Sequence, residues 1–457
     1  MSATSKINAF VMVPTTERWI TEVPSQWDMR RLKTLFRERS VKGYPDLPLL
    51  AATQTKGVVT KETYGLRTVI AQSGLENLKL VEPGDFVISL RSFEGGIEVS
   101  HARGIISPAY TVLRIQDQLL HGYFVRLFKS RYFLDAIRQS VTGIREGQNV
   151  DYARLGRVLV AVPTLESCIA IVRYLNHAEL GIAKAIAAKQ DVVRLLREAR
   201  LAMISETVLA GNRTAVERKE SSVPGIGPVP AHWRMRRAKY VWRAVDVRSA
   251  TGAEERLTVS SASGIVPRSS KNVTMFEAAT YVGHKVVQPN DLVINSLWAW
   301  AGGLGVSNHH GLVSPVYGVY RLRDEAQCDP EFMHNLLRSN ACQWQFQVRS
   351  KGIWRSRLSI TDESFFDMPL PLPPLDEQQS IAAKIRKQTN NVDKAITSVL
   401  DEIALLKEYR TRLISDVVTG KLDVREEAAK LPEIDPMELA IVTVGDNGDD
   451  GEATDDD

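Results

Sequence analysis

The feature that most constrains this chain is an internal repeat, because a duplicated unit must fold twice by the same rules. The first half aligns on the second at an offset of 206 to 210 residues. VPSQWDMRRLKTLFR at 23–37 matches VPAHWRMRRAKYVWR at 229–243, with eight of fifteen positions identical, Trp27 and Trp233 among them. VEPGDFVI at 81–88 matches VQPNDLVI at 287–294. GGIEVSHARGIISPAY at 95–110 matches GGLGVSNHHGLVSPVY at 302–317 in eight of sixteen positions. VPTLESCIAI at 162–171 matches LPPLDEQQSI at 372–381, and LREARLAMISE at 196–206 matches LKEYRTRLISD at 406–416. Five blocks in one order and at near-constant spacing mark a duplication.

Each copy carries the same pattern. Residues 81–114 alternate apolar and polar positions around Pro-Gly or Pro-Asn, which predicts strands and hairpins. Residues 118–139 and 329–348 read as helices, and LVAVP at 159–163 and MPLPLP at 368–373 as short strands. This gives an α+β globular part of about 140 residues, enough for its own core. A long helix then follows, at 165–210 and 375–420, entered from a proline and free of proline inside. In the second helix Ile385, Val392, Ile396, Val399, Ile403, Leu406, Leu413 and Val417 form an apolar stripe. The matching positions of the first are Leu175, Ile182, Ile186, Lys189, Val193, Leu196, Met203 and Thr207, so Lys189 and Thr207 interrupt it. A stripe kept over about 40 residues argues a coiled coil, and the obvious partner of each helix is its repeat copy. The polar, Gly- and Pro-containing stretch 211–228 reads as a linker.

The net charge of +4 hides an uneven distribution. The last twelve residues, DNGDDGEATDDD, hold seven acids, and without them the rest carries +11. A basic body suits a polyanionic partner, while the tail itself reads as a solubilising, disordered segment. Three cysteines, Cys168, Cys328 and Cys342, make neither a disulfide framework nor a zinc site by their spacing, which points to a reducing, cytoplasmic setting. No apolar run reaches the roughly 18 residues that a membrane span needs.

The paired openings VPSQWDMRRLK and VPAHWRMRRAK resemble those of the target recognition domains in specificity subunits of type I restriction-modification systems. LPLPPLDEQQSIAAKI resembles the Pro-Pro-Leu-x-Glu-Gln start of that family's conserved helix, and VTGKLDVR at 418–425 resembles its end. The first helix departs from the pattern: it begins TLESCIAI and lacks the pair Glu377-Gln378. The resemblance spans about residues 17–425. It implies two similar globular recognition domains separated by two long helices in an antiparallel coiled coil, with pseudo-two-fold symmetry. Its division of the chain is an N-terminal arm (1–22), recognition domain 1 (23–164), spacer helix 1 (165–210), linker (211–228), recognition domain 2 (229–374), spacer helix 2 (375–420) and an acidic, disordered tail (421–457). It also implies a non-catalytic subunit that binds a bipartite, asymmetric duplex DNA target. The expected partners are two DNA methyltransferase (modification) subunits and restriction/translocase subunits. No cofactor is expected on this chain; S-adenosylmethionine, ATP and Mg belong to the partners.

Differences between the copies locate the candidate reading loops. SLRSFE at 89–94 stands against NSLWAWA at 295–301, HAR at 101–103 against NHH at 308–310, and GIREGQN at 143–149 against KGIWRSRLS at 351–359. In the first copy these loops supply Arg91, His101, Arg103, Arg145, Gln148 and Asn149. In the second they supply Asn295, Asn308, His309, His310, Lys351, Trp354, Arg355 and Arg357. Arginine can take guanine O6/N7, and Asn or Gln can take adenine, in the major groove; the competing reading of each residue is a solvated polar loop. Arg30, Arg31 and Lys33 recur as Arg236, Arg237 and Lys239. Residues equal in both copies cannot tell two half-sites apart, so these are read as phosphate contacts or structural groups. Trp27, Trp233, Gly95-Gly96 and Gly302-Gly303 are read as packing and turn residues.

The chain shows no Asn/Asp-Pro-Pro-aromatic tetrapeptide of an amino-methyltransferase and no Gly-x4-Gly-Lys-Ser/Thr loop. Its one Glu-x-Lys, Glu217-Arg218-Lys219, falls in the linker, and His309-His310 has no metal-ligand companion at suitable spacing. Two alternatives stay open at this stage: a stand-alone duplicated DNA-binding regulator, and a nuclease with an unrecognised site.

Overall fold

The computed structural model describes residues 10–54, 56–64, 74–90, 92–142, 149–211, 217–261, 263–270, 280–324, 327–352, 358–435 and 438. The chain divides into two compact units, one of residues 1–190 and 401–450, the other of 191–400 and 451–457. Each unit therefore combines one globular domain with half of each long helix.

The first domain is built on a four-stranded antiparallel sheet in the order Phe36–Arg39, Thr111–Ile115, Phe86–Ile88, Glu98–Val99. The second domain repeats it as Trp242–Ala244, Gly318–Leu322, Leu292–Ile294, Leu304–Val306. The turn that feeds the third strand of each sheet explains one matched block. Gly84 and Asn290 adopt φ of 85° and 72°, and Asp85 N–H and Asp291 N–H close the turns onto Glu82 O and Gln288 O at 3.0 Å each. Only Gly or a short polar residue such as Asn sits there cheaply. The buried aspartate after each turn then binds arginine of the neighbouring strand: Asp85 takes Arg114 at 2.8 Å, and Asp291 takes Arg321 at 2.7 Å. Lys79 and Lys285 likewise donate to the carbonyls of Tyr110 and Tyr317 at 2.7 and 2.8 Å.

The segments 118–139 and 329–348 are each broken into two helices, which the apolar periodicity does not reveal. The breaks fall at Ser130 and Ser339, whose hydroxyls donate to Leu127 O and Leu336 O at 2.7 Å. The same oxygens accept the amides of Phe133 and Cys342, capping Arg131–Gln139 and Asn340–Arg349. A serine cap is worth about 1 kcal/mol. Two-stranded ladders complete each domain, Asp28–Arg31 with Leu159–Val162 and Arg234–Arg237 with Pro369–Leu372.

The repeat reaches further upstream than sequence identity does. Met12–Pro14 pairs with Glu22–Pro24, and Arg218–Glu220 pairs with Pro228–Pro230, at the same offset of 206. Parts of the expected arm and linker are thus hairpins of the two domains, with Ile20 and Ile226 buried in matching places. An indole covers each hairpin from a different origin. Trp19 in the first hairpin meets Phe133 edge-on at 5.5 Å. In the second copy the hairpin carries Gly225, and a Cβ there would lie 2.8 Å from Trp344 of the neighbouring helix.

The expected disorder of 421–457 is also corrected over its first part. Arg425–Lys430 is a helix with Val424 and Ala428 buried. Arg425 holds Asp423 at 2.7 Å and covers the Phe10 ring at 4.6 Å. The seven-acid terminus lies outside the described residues.

The long helices run Leu165–Ala210 and Leu375–Val418. In the second unit Arg200 meets Asp393 at 2.6 Å and Thr207 Oγ1 meets Gln388 at 2.9 Å, so one helix advances while the other retreats. The pairing is antiparallel. In the first unit Lys189 pairs with Glu402. Both interruptions of the first stripe, Lys189 and Thr207, thus have polar partners across the helix pair. Met203 departs from the stripe: it is 41 % exposed and Ile204 is buried instead. A helix of 3.6 residues per turn drifts against a seven-residue repeat, which moves the buried face by one position.

The two helix starts are held differently. Gln378, fully buried, accepts Asp329 N–H at 2.9 Å and donates to Gln327 O and Pro373 O. In the first helix Cys168 stands in its place and donates to Leu119 O at 3.2 Å. The absence of Glu-Gln in the first copy is therefore a local exchange of polar partner. Both helices end on a left-handed glycine, Gly211 and Gly420, each with φ 74°. Gly420 packs on Pro24 and Trp27, and Gly211 on Pro230 and Trp233. The matched Pro-x-x-Trp motifs are the seats on which the helices terminate.

Candidate nucleic-acid interface

The candidate reading residues fall into three groups. Arg91, Arg145, Gln148, Trp354, Arg355 and Arg357 lie outside the described residues, and Asn149 enters only through its backbone pairing with Thr142. A second group is exposed at loop surfaces. His101 follows the fourth sheet strand, its amide bonded to Val58 O at 3.2 Å and its ring beside Gly57. Burial of part of the ring pushes its pKa below the ordinary value. Arg103 is 54 % exposed and pairs with Glu82 at 3.3 Å. Asn308, His309 and His310 are exposed on a loop that Ser307 Oγ holds by donating to His309 O at 2.9 Å. Lys351 is exposed, and its backbone bridges to Ser359.

Asn295 forms the third group. It is 3 % exposed, its amide donates to Tyr317 Oη at 3.2 Å and its oxygen accepts Leu297 N–H. Its position makes it a support of the 295–301 loop, and direct base contact is corrected to that role. The loop's outer part is aromatic: Trp298 and Trp300 stack at 5.5 Å. Ile360 N–H donates to Ser296 O at 3.0 Å, which brings the end of the 351–359 segment onto this loop. Two sequence-separated candidate segments therefore converge in the second domain.

Arg30, Arg31 and Lys33, and Arg236, Arg237 and Lys239, are all exposed on or beside the two-stranded ladders, apart from the four-stranded sheets. Arg237 pairs with Asp367 at 2.8 Å and Lys239 lies 5.2 Å from the Tyr240 ring. Arg234 and Arg236 line a concavity of about 390 Å³ with His232, Tyr240 and Cys328. In the first copy Asp28 stands where Arg234 does, and only Arg30, the counterpart of Arg236, keeps the basic character there.

Two residues that the sequence comparison passed over organise the loops. Lys129 Nζ donates to Gln54 O at 3.1 Å and Gly95 O at 3.0 Å, and pairs with Glu98. Burial of Glu98 raises its pKa to about 6 despite the ammonium beside it. In the second domain Arg338 donates to Ser260 O at 3.3 Å, Gly302 O at 3.1 Å and Leu304 O at 2.6 Å. The available signal was a basic residue before each capping serine, Lys129-Ser130 and Arg338-Ser339, at one offset of 209.

Among the described residues no group of three or more His, Cys, Asp or Glu could hold a metal ion. No described helix is long and apolar enough to cross a membrane. All three cysteines are free and buried.

The fold that carries these loops is shared with a solved structure. One chain with 17% identity and a TM-score of 0.51 covers 88% of this chain and 99% of its own. It comes from a structure described as the structural basis underlying complex assembly and conformational transition of the type I R-M system. The chain has the fold of a type I restriction-modification protein. Two further neighbours are described as S subunits of such systems. The HsdS subunit from Thermoanaerobacter tengcongensis has 15% identity, 88% and 98% coverage and a TM-score of 0.39. The S subunit from M. genitalium has 12% identity, 88% and 97% coverage and a TM-score of 0.34. In sequence, no family model and no curated protein matches the chain.

Proposed function

We propose that this chain is the DNA sequence-specificity subunit of a type I restriction-modification complex. It binds a bipartite, asymmetric target and directs adenine methylation and restriction carried out by partner subunits. The observation that carries this reading is the pairing of an equal frame with unequal loops. Sheets, caps, turns and helix seats coincide in the two copies, while 295–301 carries stacked tryptophans where 89–94 carries none. Two domains of one geometry suit two half-sites on a duplex, since half-site spacing mirrors protein geometry. Unequal loops suit half-sites of different sequence. The fold shared with a type I restriction-modification chain supports the same reading.

S-adenosylmethionine, ATP and Mg are assigned to the methyltransferase and restriction/translocase partners, and the cytoplasm to the complex. Purification of the chain from its native host tests this: a methyltransferase subunit should accompany it. A stand-alone regulator would bind its target with no such companion. Plasmid incubated with the purified chain and magnesium should stay intact, and cleavage would favour the nuclease alternative. Mapping methylated adenines in the host genome should give a motif with two unlike halves.

A further inference from the structure

We infer that Lys129 and Arg338 are positioning residues for DNA reading, and that the hairpin turns they hold form an additional reading loop in each domain. The inference rests on the proposed function. The hairpin Leu50–Thr53 with Gly57–Thr60 recurs as Leu257–Ser260 with Gly264–Pro267. Neither turn belongs to the matched blocks of the repeat.

A cation at one equivalent place binds the same two backbone carbonyls in both domains. Lys129 takes those of Gln54 and Gly95; Arg338 takes those of their counterparts Ser261 and Gly302. One carbonyl belongs to the hairpin turn and the other to the end of a loop that differs between the copies, 89–94 or 295–301. A charge-assisted bond to each sets the separation of two segments that no strand pairing joins. In the first domain the glycine at the second carbonyl makes the approach possible: a Cβ on Gly95 would fall 2.7 Å from Gln54 Cγ. In the second, Gly302 adopts φ 86° and a Cβ there would lie 3.8 Å from Ser261 O.

What the clamp carries differs. The first turn presents exposed Gln54, whose amide meets Glu94 at 3.2 Å, and half-buried Lys56. The second presents exposed Ser261 and Ser263. The turn also abuts a candidate reader: Gly57 lies against the ring of His101. The third contact of the cation differs as well. Lys129 has Glu98, whereas the matching position is Gly305, where His334 fills the space. A constant clamp holding variable tips is what a reading surface needs if two domains of one frame recognise different bases.

The test uses the full chain together with the subunits that co-purify from its host, bound to a random-sequence duplex library from which bound sequences are read. Wild type should enrich a two-part motif; no motif at all would refute the functional reading itself. K129M should relax one half of the motif, with discrimination at one or more positions falling roughly 5- to 150-fold, the span of a mis-set base contact. R338M should relax the other half only. K129R should keep the wild-type motif, since arginine makes the equivalent clamp in the second domain. Q54A/K56A alters an exposed turn without touching the core and should relax the same half as K129M. An unchanged motif in Q54A/K56A, or equal decay of both halves in K129M, would overturn the inference.

Discussion

At the scale of single residues, the two clamps leave titratable neighbours of opposite behaviour. Glu98 is 3 % exposed and its carboxyl is raised from 4.5 to about 6. Above pH 6 it is ionised in the folded and unfolded chain alike, and the folded state bears the cost of burying it. As pH falls from about 6 to below 4.5, the folded state binds the proton first and this group's contribution to stability rises, by about 2 kcal/mol. His334 does the reverse. Burial and the Arg338 guanidinium lower it from 6.5 to about 3, and its neutral Nδ1 accepts Val306 N–H at 3.2 Å. Its contribution is full above pH 6.5 and declines as pH falls toward 3, by roughly 2–3 kcal/mol at pH 4.5. Melting curves between pH 7 and 4.5 should therefore separate them. Acidification should raise the melting temperature of wild type relative to E98Q and lower it relative to H334N. Equal pH slopes for wild type and a variant would remove the assignment for that residue.

At the scale of elements, the helix ends carry the clearest mechanical demand. Gly420 has φ 74°, and a Cβ there would lie 2.3 Å from Pro24 Cγ; at Gly211, with the same φ, the nearest approach is 3.1 Å. G420A should cost roughly 2–5 kcal/mol, the left-handed penalty plus a clash with a rigid ring, and G211A about 1–2 kcal/mol. Thermal melting should rank wild type, G211A, G420A in falling order; a G420A protein as stable as wild type would contradict the seat on Trp27. The same elements show what was legible in the sequence. The helix stripe was readable because burial on one face imposes a period, and the Pro-Gly-Asp and Pro-Asn-Asp turns because their backbone admits few residues. The upstream arms of the hairpins were not, since ahead of the matched Val-Pro the one buried pair they share among the described residues is Ile20 and Ile226, and the covering indole comes from Trp19 in one copy and Trp344 in the other. The clamps were hidden for a related reason. Lys129 and Arg338 bind carbonyls, and carbonyls leave no trace in residue identity. Asn295 misled in the opposite direction: an amide in a variable loop looks like a base reader, but its depth and its bonds to Tyr317 and Leu297 make it a loop support.

At the scale of the whole molecule, each long helix crosses from one compact unit into the other, with the boundaries at 190/191 and 400/401. The polar pairs Lys189–Glu402, Arg200–Asp393 and Thr207–Gln388 fix the register of the helix pair on both sides of these points. Under the proposed function the helix pair measures the unread spacer between half-sites. A seven-residue insertion after 190 matched by another after 400 keeps the stripe in phase, because seven residues make nearly two turns, and it lengthens each helix by about 10 Å. The motif bound by that variant should keep both half-sites and gain about three base pairs of spacer, at 3.4 Å per base pair. The insertion after 190 alone makes the helices unequal and sets every pair beyond it out of register, so it should weaken binding without producing a new defined spacer. If the double insertion left the spacer unchanged, the helices would have no measuring role and the half-site separation would have to be fixed by other contacts of the two domains.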